Sequence, residues 1–141
     1  MPTMETVIDP FKESVDVVTY DHFTGEYTDY LKIIEARIMT FVRLYDNGDG
    51  VFIDDEGLYA KNQHFFMHRN YPQPLCNKAV LVGCDDEGDS VVPQTPFPVF
   101  KKDIVFIGSR YMLSLYIKAN GDKVIKDESG YDVDYRPIFF N

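Results

Sequence analysis

Residues 48–66 read GDGVFIDDEGLYAKNQHFF. A glycine turn leads into the alternating run Val51–Asp54, a second acidic turn follows at 54–57, and His64 then stands beside Phe65 and Phe66. Asp-Gly next to alternating apolar residues is the strongest short-range signal for a β-hairpin. With TFVRLY (40–45) upstream, the spacing predicts two antiparallel strands around DNGDG (46–50). Asn47–Gly50 should form the tight turn, with Gly48 or Gly50 at positive φ, where only glycine is unstrained.

The same grammar recurs downstream. DDEGD (85–89) separates KAVLVGC (78–84) from SVVPQ (90–94), and ANGD (119–122) separates YMLSLYIK (111–118) from KVIK (123–126). Each reads as a further hairpin. The prolines at 93, 96 and 98 restrict VVPQTPFPVF to a connection or sheet edge, and DIVFIG (103–108) reads as a short buried strand. Similarity between NGDGVFIDDEG (47–57) and NGDKVIKDESG (120–130) follows from turn chemistry, since no longer period accompanies it.

Upstream the periods compete. Leu31, Ile34, Ile38, Phe41 and Tyr45 fall at helical spacing, while Ile38, Thr40, Val42 and Leu44 alternate. The expected outcome is a helix over 29–36, capped by Thr28 or Asp29, giving way to a strand that runs into Asp46. Residues 1–27, with two prolines and the apolar patch VDVVTY, read as an N-terminal arm or edge strand ahead of a domain at 28–141. The expected fold is therefore mostly β: a single compact antiparallel barrel or sandwich with one short N-terminal helix.

Composition narrows the function classes. The 141 residues suffice for one core, and ten Tyr and eleven Phe supply it. A net charge of −9 disfavours nucleic-acid backbones as ligands and favours a protein partner with a basic face. No apolar run reaches membrane-spanning length and no signal peptide is read at the N-terminus, so no membrane partner is expected and the location is cytoplasmic or within an assembled particle. Cys76 and Cys84 permit a disulfide without requiring one.

Three chemical readings attach to residues 45–103. With Gly50 at the glycine position of an EF-hand loop, Asn47, Asp49 and Glu56 fall where calcium ligands belong, but Tyr45 occupies the first position. His64, His68, Cys76 and Cys84 carry zinc-ligand atoms, yet lack the close cysteine pair of a knuckle. A packed histidine at the end of a hairpin strand is the simpler role, and neither metal nor cofactor is expected.

The third reading is a resemblance. Residues 48–107 resemble the first barrel of chymotrypsin-like proteases, where a hairpin leads to Asn-x-His, here Asn62, Gln63 and His64. KDIVFIG (102–108) looks like the family's later strand led by an aspartate. The resemblance implies a catalytic pair of His64 and Asp103, the carboxylate orienting the imidazole. It supplies no nucleophile: 38 residues follow Asp103, and Ser109, Ser114 and Ser129 stand in no glycine frame of the family's kind.

Without a complete catalytic set, the sequence favours a non-catalytic binding or structural protein acting through protein contacts. Tyr20, Tyr27, Tyr30, Tyr71 and Tyr131 lie near turns and are the expected interface residues. Small size and acidic hairpin tips suit a virus- or phage-type accessory protein, a virion component or a host-factor inhibitor, and homo-oligomerisation is compatible with this. An inactive protease relative and a small-ligand-binding barrel are the alternatives.

Overall fold

The computed structural model describes residues 3–120. In chain order the elements are β1 (Thr3–Asp9), β2 (Ser14–Tyr20), α1 (Tyr27–Ile34), β3 (Met39–Arg43), β4 (Gly50–Asp54), a 3-10 turn (Gly57–Tyr59), β5 (His64–His68), β6 (Leu75–Cys76), β7 (Ala79–Cys84), β8 (Ser90–Val91), α2 (Phe97–Lys102), β9 (Ile104–Ser109) and α3 (Arg110–Asn120). Every strand pairing is antiparallel. One sheet runs β2-β1-β7-β4-β3, with β8 also on β7; the other runs β6-β5-β9. The fold is sandwich-like and mostly β, and neither sheet closes into a barrel.

β7 explains the layering. Its residues Ala79, Val80, Leu81 and Val82 are all 2% exposed or less, so both faces of the strand are covered. Ala79 and Leu81 join Ile8, Val51, Phe66 and Phe100 in the main core, which unites residues of both sheets. Val80 and Val82 pack on the other side with Tyr30, Ile33 and Ile34 of α1. β5 divides its residues in the same manner: Phe66 belongs to the main core, while neighbouring Phe65 packs with Leu113 of α3. Each sheet thus has a helix on the face turned away from the other.

The first hairpin forms where its sequence places it, with Val42 opposite Val51 and Arg43 opposite Gly50. Gly48 has φ +98°, and a methyl group there would overlap the Cys84 carbonyl oxygen, so both conformation and space require glycine. The second hairpin pairs Gly83 with Val91 across 85–89.

Other expectations change. YMLSLYIK forms α3 instead of a strand, because Leu113, Tyr116 and Ile117, at i, i+3 and i+4, meet the apolar surface of Phe65, Cys76 and Ile107. The remainder of the expected third hairpin lies outside the described residues. The chain therefore has α1, α2 and α3 where one helix was expected; Pro96 starts α2, and Pro98 stands in its first turn. Glu26, not Thr28 or Asp29, precedes α1, and Asp29 instead accepts hydrogen bonds from the Thr24 amide and hydroxyl. The expected arm is a hairpin: β2 is an edge strand, but β1 lies between β2 and β7. β9, expected to be buried, is an edge strand with Val105 60% exposed.

Candidate functional site

Three polar side chains meet where the sheets approach one another: Tyr45 after β3, His68 at the end of β5 and Asp103 between α2 and β9. The hairpin turn fixes Tyr45, whose amide donates to the Asp49 carbonyl at 3.0 Å. The Asp103 amide closes α2 on the Val99 and Phe100 carbonyls, and its own carbonyl accepts from the Arg69 amide. Phe100, fully buried, lies against both the His68 and Tyr45 rings.

The hydrogen bonds assign the protons. His68 Nδ1 accepts from the Asn70 amide at 3.0 Å, so the ring proton resides on Nε2 and points to Tyr45 Oη at 2.8 Å. Tyr45 in turn donates to Asp103 Oδ2, also at 2.8 Å. Donation runs from histidine to tyrosine to aspartate. Burial pushes His68 down to about 4 from 6.5, opposed by the nearby Asp103 charge. Tyr45 is pushed far above its ordinary value by burial first, then by its bond to Asp103 and the charges of Asp103 and Asp49. Neutral imidazole and protonated phenol are the forms this geometry holds at pH 7. With both ring nitrogens committed inside the protein, the cluster ties the hairpin to the smaller sheet rather than offering a base to solvent.

Open grooves flank the cluster. One of about 600 Å³ has His68 and Asp103 in its wall beside Arg69, Tyr71 and Lys102; another is formed by Arg43, Tyr45 and Asp46, and Asn70 lines both.

The structure does not join His64 to Asp103. His64 pairs with Ser109, whereas Asp103 lies beside the opposite end of β5, next to the His68–Ile104 pair. Four strand residues correspond to about 13 Å. The His64 ring packs against Phe11 at 4.7 Å, tilted by 43°, and its main chain is held by Asn77 on both sides. Asp103 serves Tyr45 instead. His68, read from sequence only as a zinc ligand, is the histidine that meets a polar network, and its 1% exposure could not be read from a run of aromatic neighbours.

The side chains of the metal readings have partners within the protein. Asp49 is 1% exposed and its Oδ2 accepts from the Gln94 and Thr95 amides at 2.8 and 2.6 Å. Asn47 accepts from the Asp49 amide and donates to Thr95 Oγ1. Glu56, at the other end of the hairpin, pairs with Arg37. Cys76 is buried, its thiol pushed up to about 12 by burial, and both cysteines are free. Among the described residues, Asp85, Glu87 and Asp89 are the acidic side chains that converge, on an exposed turn whose own amides already use Asp85.

Of the expected interface tyrosines, Tyr30 is corrected to a core residue, 8% exposed between Phe23 and Phe52, because it falls on the buried face of α1. Tyr27 is half exposed and its hydroxyl accepts from the Met39 amide. Tyr20 packs partly on the α1 side of the larger sheet, Tyr71 packs partly on the main core, and Tyr131 lies outside the described residues. No protein family, curated protein or solved structure matches the chain. No helix among the described residues is long and apolar enough to cross a membrane.

Proposed function

We propose that this is a non-catalytic binding protein that docks a second protein through an acidic end of its larger sheet. One observation carries the reading. The β3–β4 and β7–β8 turns lie side by side, with Gly48 against Cys84, and bring together the exposed side chains of Asp46, Asp85, Asp86, Glu87 and Asp89, none of them ion-paired among the described residues. Val91 and Val92, 41% and 84% exposed, stand beside them and supply apolar contact. The five carboxylates outweigh the one cation of the β3–β4 turn, Arg43, whose guanidinium is held on the Tyr45 and Asp46 carbonyls. A mainly negative surface with adjoining apolar area suits a partner with a basic face, where the field steers the encounter and the valines add contact area. Assembly into a larger particle and blockade of another protein are both settings in which such docking would operate.

The test uses a partner recovered by cross-linking to the full chain. Neutralising Asp46→Asn, Asp86→Asn and Glu87→Gln together should slow association about tenfold at low salt. Neutralising Glu13, Asp16 and Asp55, away from that end, should leave the rate within about twofold at the same salt. Equal effects of the two sets, or a wild-type rate indifferent to salt, would overturn the reading.

A further inference from the structure

β5 and β9 hold a further groove far from the acidic end, where His64 pairs with Ser109. Its wall contains Phe11, Lys61, His64, Arg110 and Tyr111 and no carboxylate, in a chain whose net charge is −9. Two cations in a lining without a carboxylate are therefore, among the described residues, a local exception to the overall charge. Among the described residues, Lys61 makes neither a hydrogen bond nor an ion pair, and Arg110 spends one N–H on Gln63 Oε1 at 3.2 Å without a carboxylate partner. Gln63 is itself fixed, since its amide donates to the Gly57 and Leu58 carbonyls.

The apolar half is also ordered in advance. Asp9 accepts from the Phe11 and Lys12 amides and so sets the turn that carries Phe11. Phe11 then packs against His64, whose main chain Asn77 holds from both sides. Tyr111, 70% exposed, adds a further ring. Phe11, His64 and Arg110, held in place, lose little freedom when a ligand arrives, while Lys61 and Tyr111 are ordered by it.

We propose that this groove binds an acidic peptide segment carrying an aromatic side chain beside its carboxylates. Lys61 and Arg110 would meet the carboxylates, and Phe11, His64 and Tyr111 the ring. An open groove shields a small molecule poorly but accommodates a chain that continues past both ends, and the exposed Asn62 side chain can hydrogen-bond a peptide backbone. This surface is independent of the acidic end.

The probe is a blocked heptapeptide with one tyrosine between two aspartates, titrated into the isotope-labelled full chain and followed by nuclear magnetic resonance. The expected result is saturable shifts centred on His64 and Tyr111. Lys61→Ala, which removes no internal contact, should weaken binding about fivefold, as expected for one exposed ion pair. Arg110→Ala should do at least as much, and Met4→Ser, at a 71% exposed position of β1, should leave peptide binding unchanged. Peptides with asparagine for aspartate, or alanine for tyrosine, should bind at least about fivefold more weakly. Absence of shifts at millimolar peptide, indifference to Lys61→Ala, equal binding of either altered peptide, or the same shifts from inorganic phosphate alone would overturn the proposal.

Discussion

Replacing Tyr45 by phenylalanine removes one oxygen and leaves the ring that packs against His68 and Phe100. That oxygen takes part in two hydrogen bonds of 2.8 Å, accepting from His68 and donating to Asp103. The consequences are unequal. His68 is 1% exposed, so its Nε2–H is left without a partner in a place water scarcely reaches, at about 1–3 kcal/mol. Asp103 is half-buried beside an open groove, and replacement by water limits its share to under about 1 kcal/mol. The expected loss is about 2–3 kcal/mol. With a urea dependence of about 1.5 kcal/mol per molar, the unfolding midpoint should fall by about 1.5 M with an unchanged slope. Tyr59→Phe, at a side chain 89% exposed, is the control and should fall within about 0.5 kcal/mol of wild type. A Tyr45→Phe effect no larger than the control's would falsify the assignment of the network as a tie between the sheets.

The same network predicts a pH dependence. Since burial holds the folded pKa of His68 at about 4 against an ordinary 6.5, the unfolded chain takes up the proton first as pH falls. Stability from this group is complete above about 6.5 and is lost progressively towards 4, by about 2 kcal/mol after allowing for screening from the adjoining groove. Urea midpoints measured between pH 7 and 5 should decline in wild type and decline less in His68→Gln; parallel curves would refute this. Gly48→Ala should destabilise by more than about 2 kcal/mol, because a positive φ is compounded by overlap with the Cys84 carbonyl, whereas Gly88→Ala, at φ +87° with nothing nearby, should cost about 1 kcal/mol. Equal losses in thermal unfolding would remove the steric part of that explanation. Asp49→Ala leaves the Gln94 and Thr95 amides without their carboxylate and should cost about 1–3 kcal/mol, which denaturant unfolding will measure.

Local chemistry wrote the hairpins into the sequence. Asn47–Gly50 and Asp85–Asp89 specify turns through residues that tolerate unusual backbone or bond their own amides, and the neighbouring alternation of Val, Ile and Phe supplies strands that such turns can join. The mostly β class follows from these signals, and the helical spacing that begins at Leu31 and Ile34 marked the helix near 29–36, which forms at Tyr27–Ile34. YMLSLYIK was expected as a hairpin strand, and the contact of Leu113, Tyr116 and Ile117 with Phe65 and Cys76 decided for the helix. The polar network was beyond local reading for a related reason. Tyr45 and Asp103 are 58 positions apart, and no periodicity links a turn tyrosine to the residue that ends a distant helix. Their meeting with His68 required both sheets to pack around Phe100, so the sequence by itself determined the candidate groups, and only the tertiary structure decided which histidine lost its water and which carboxylate answered it.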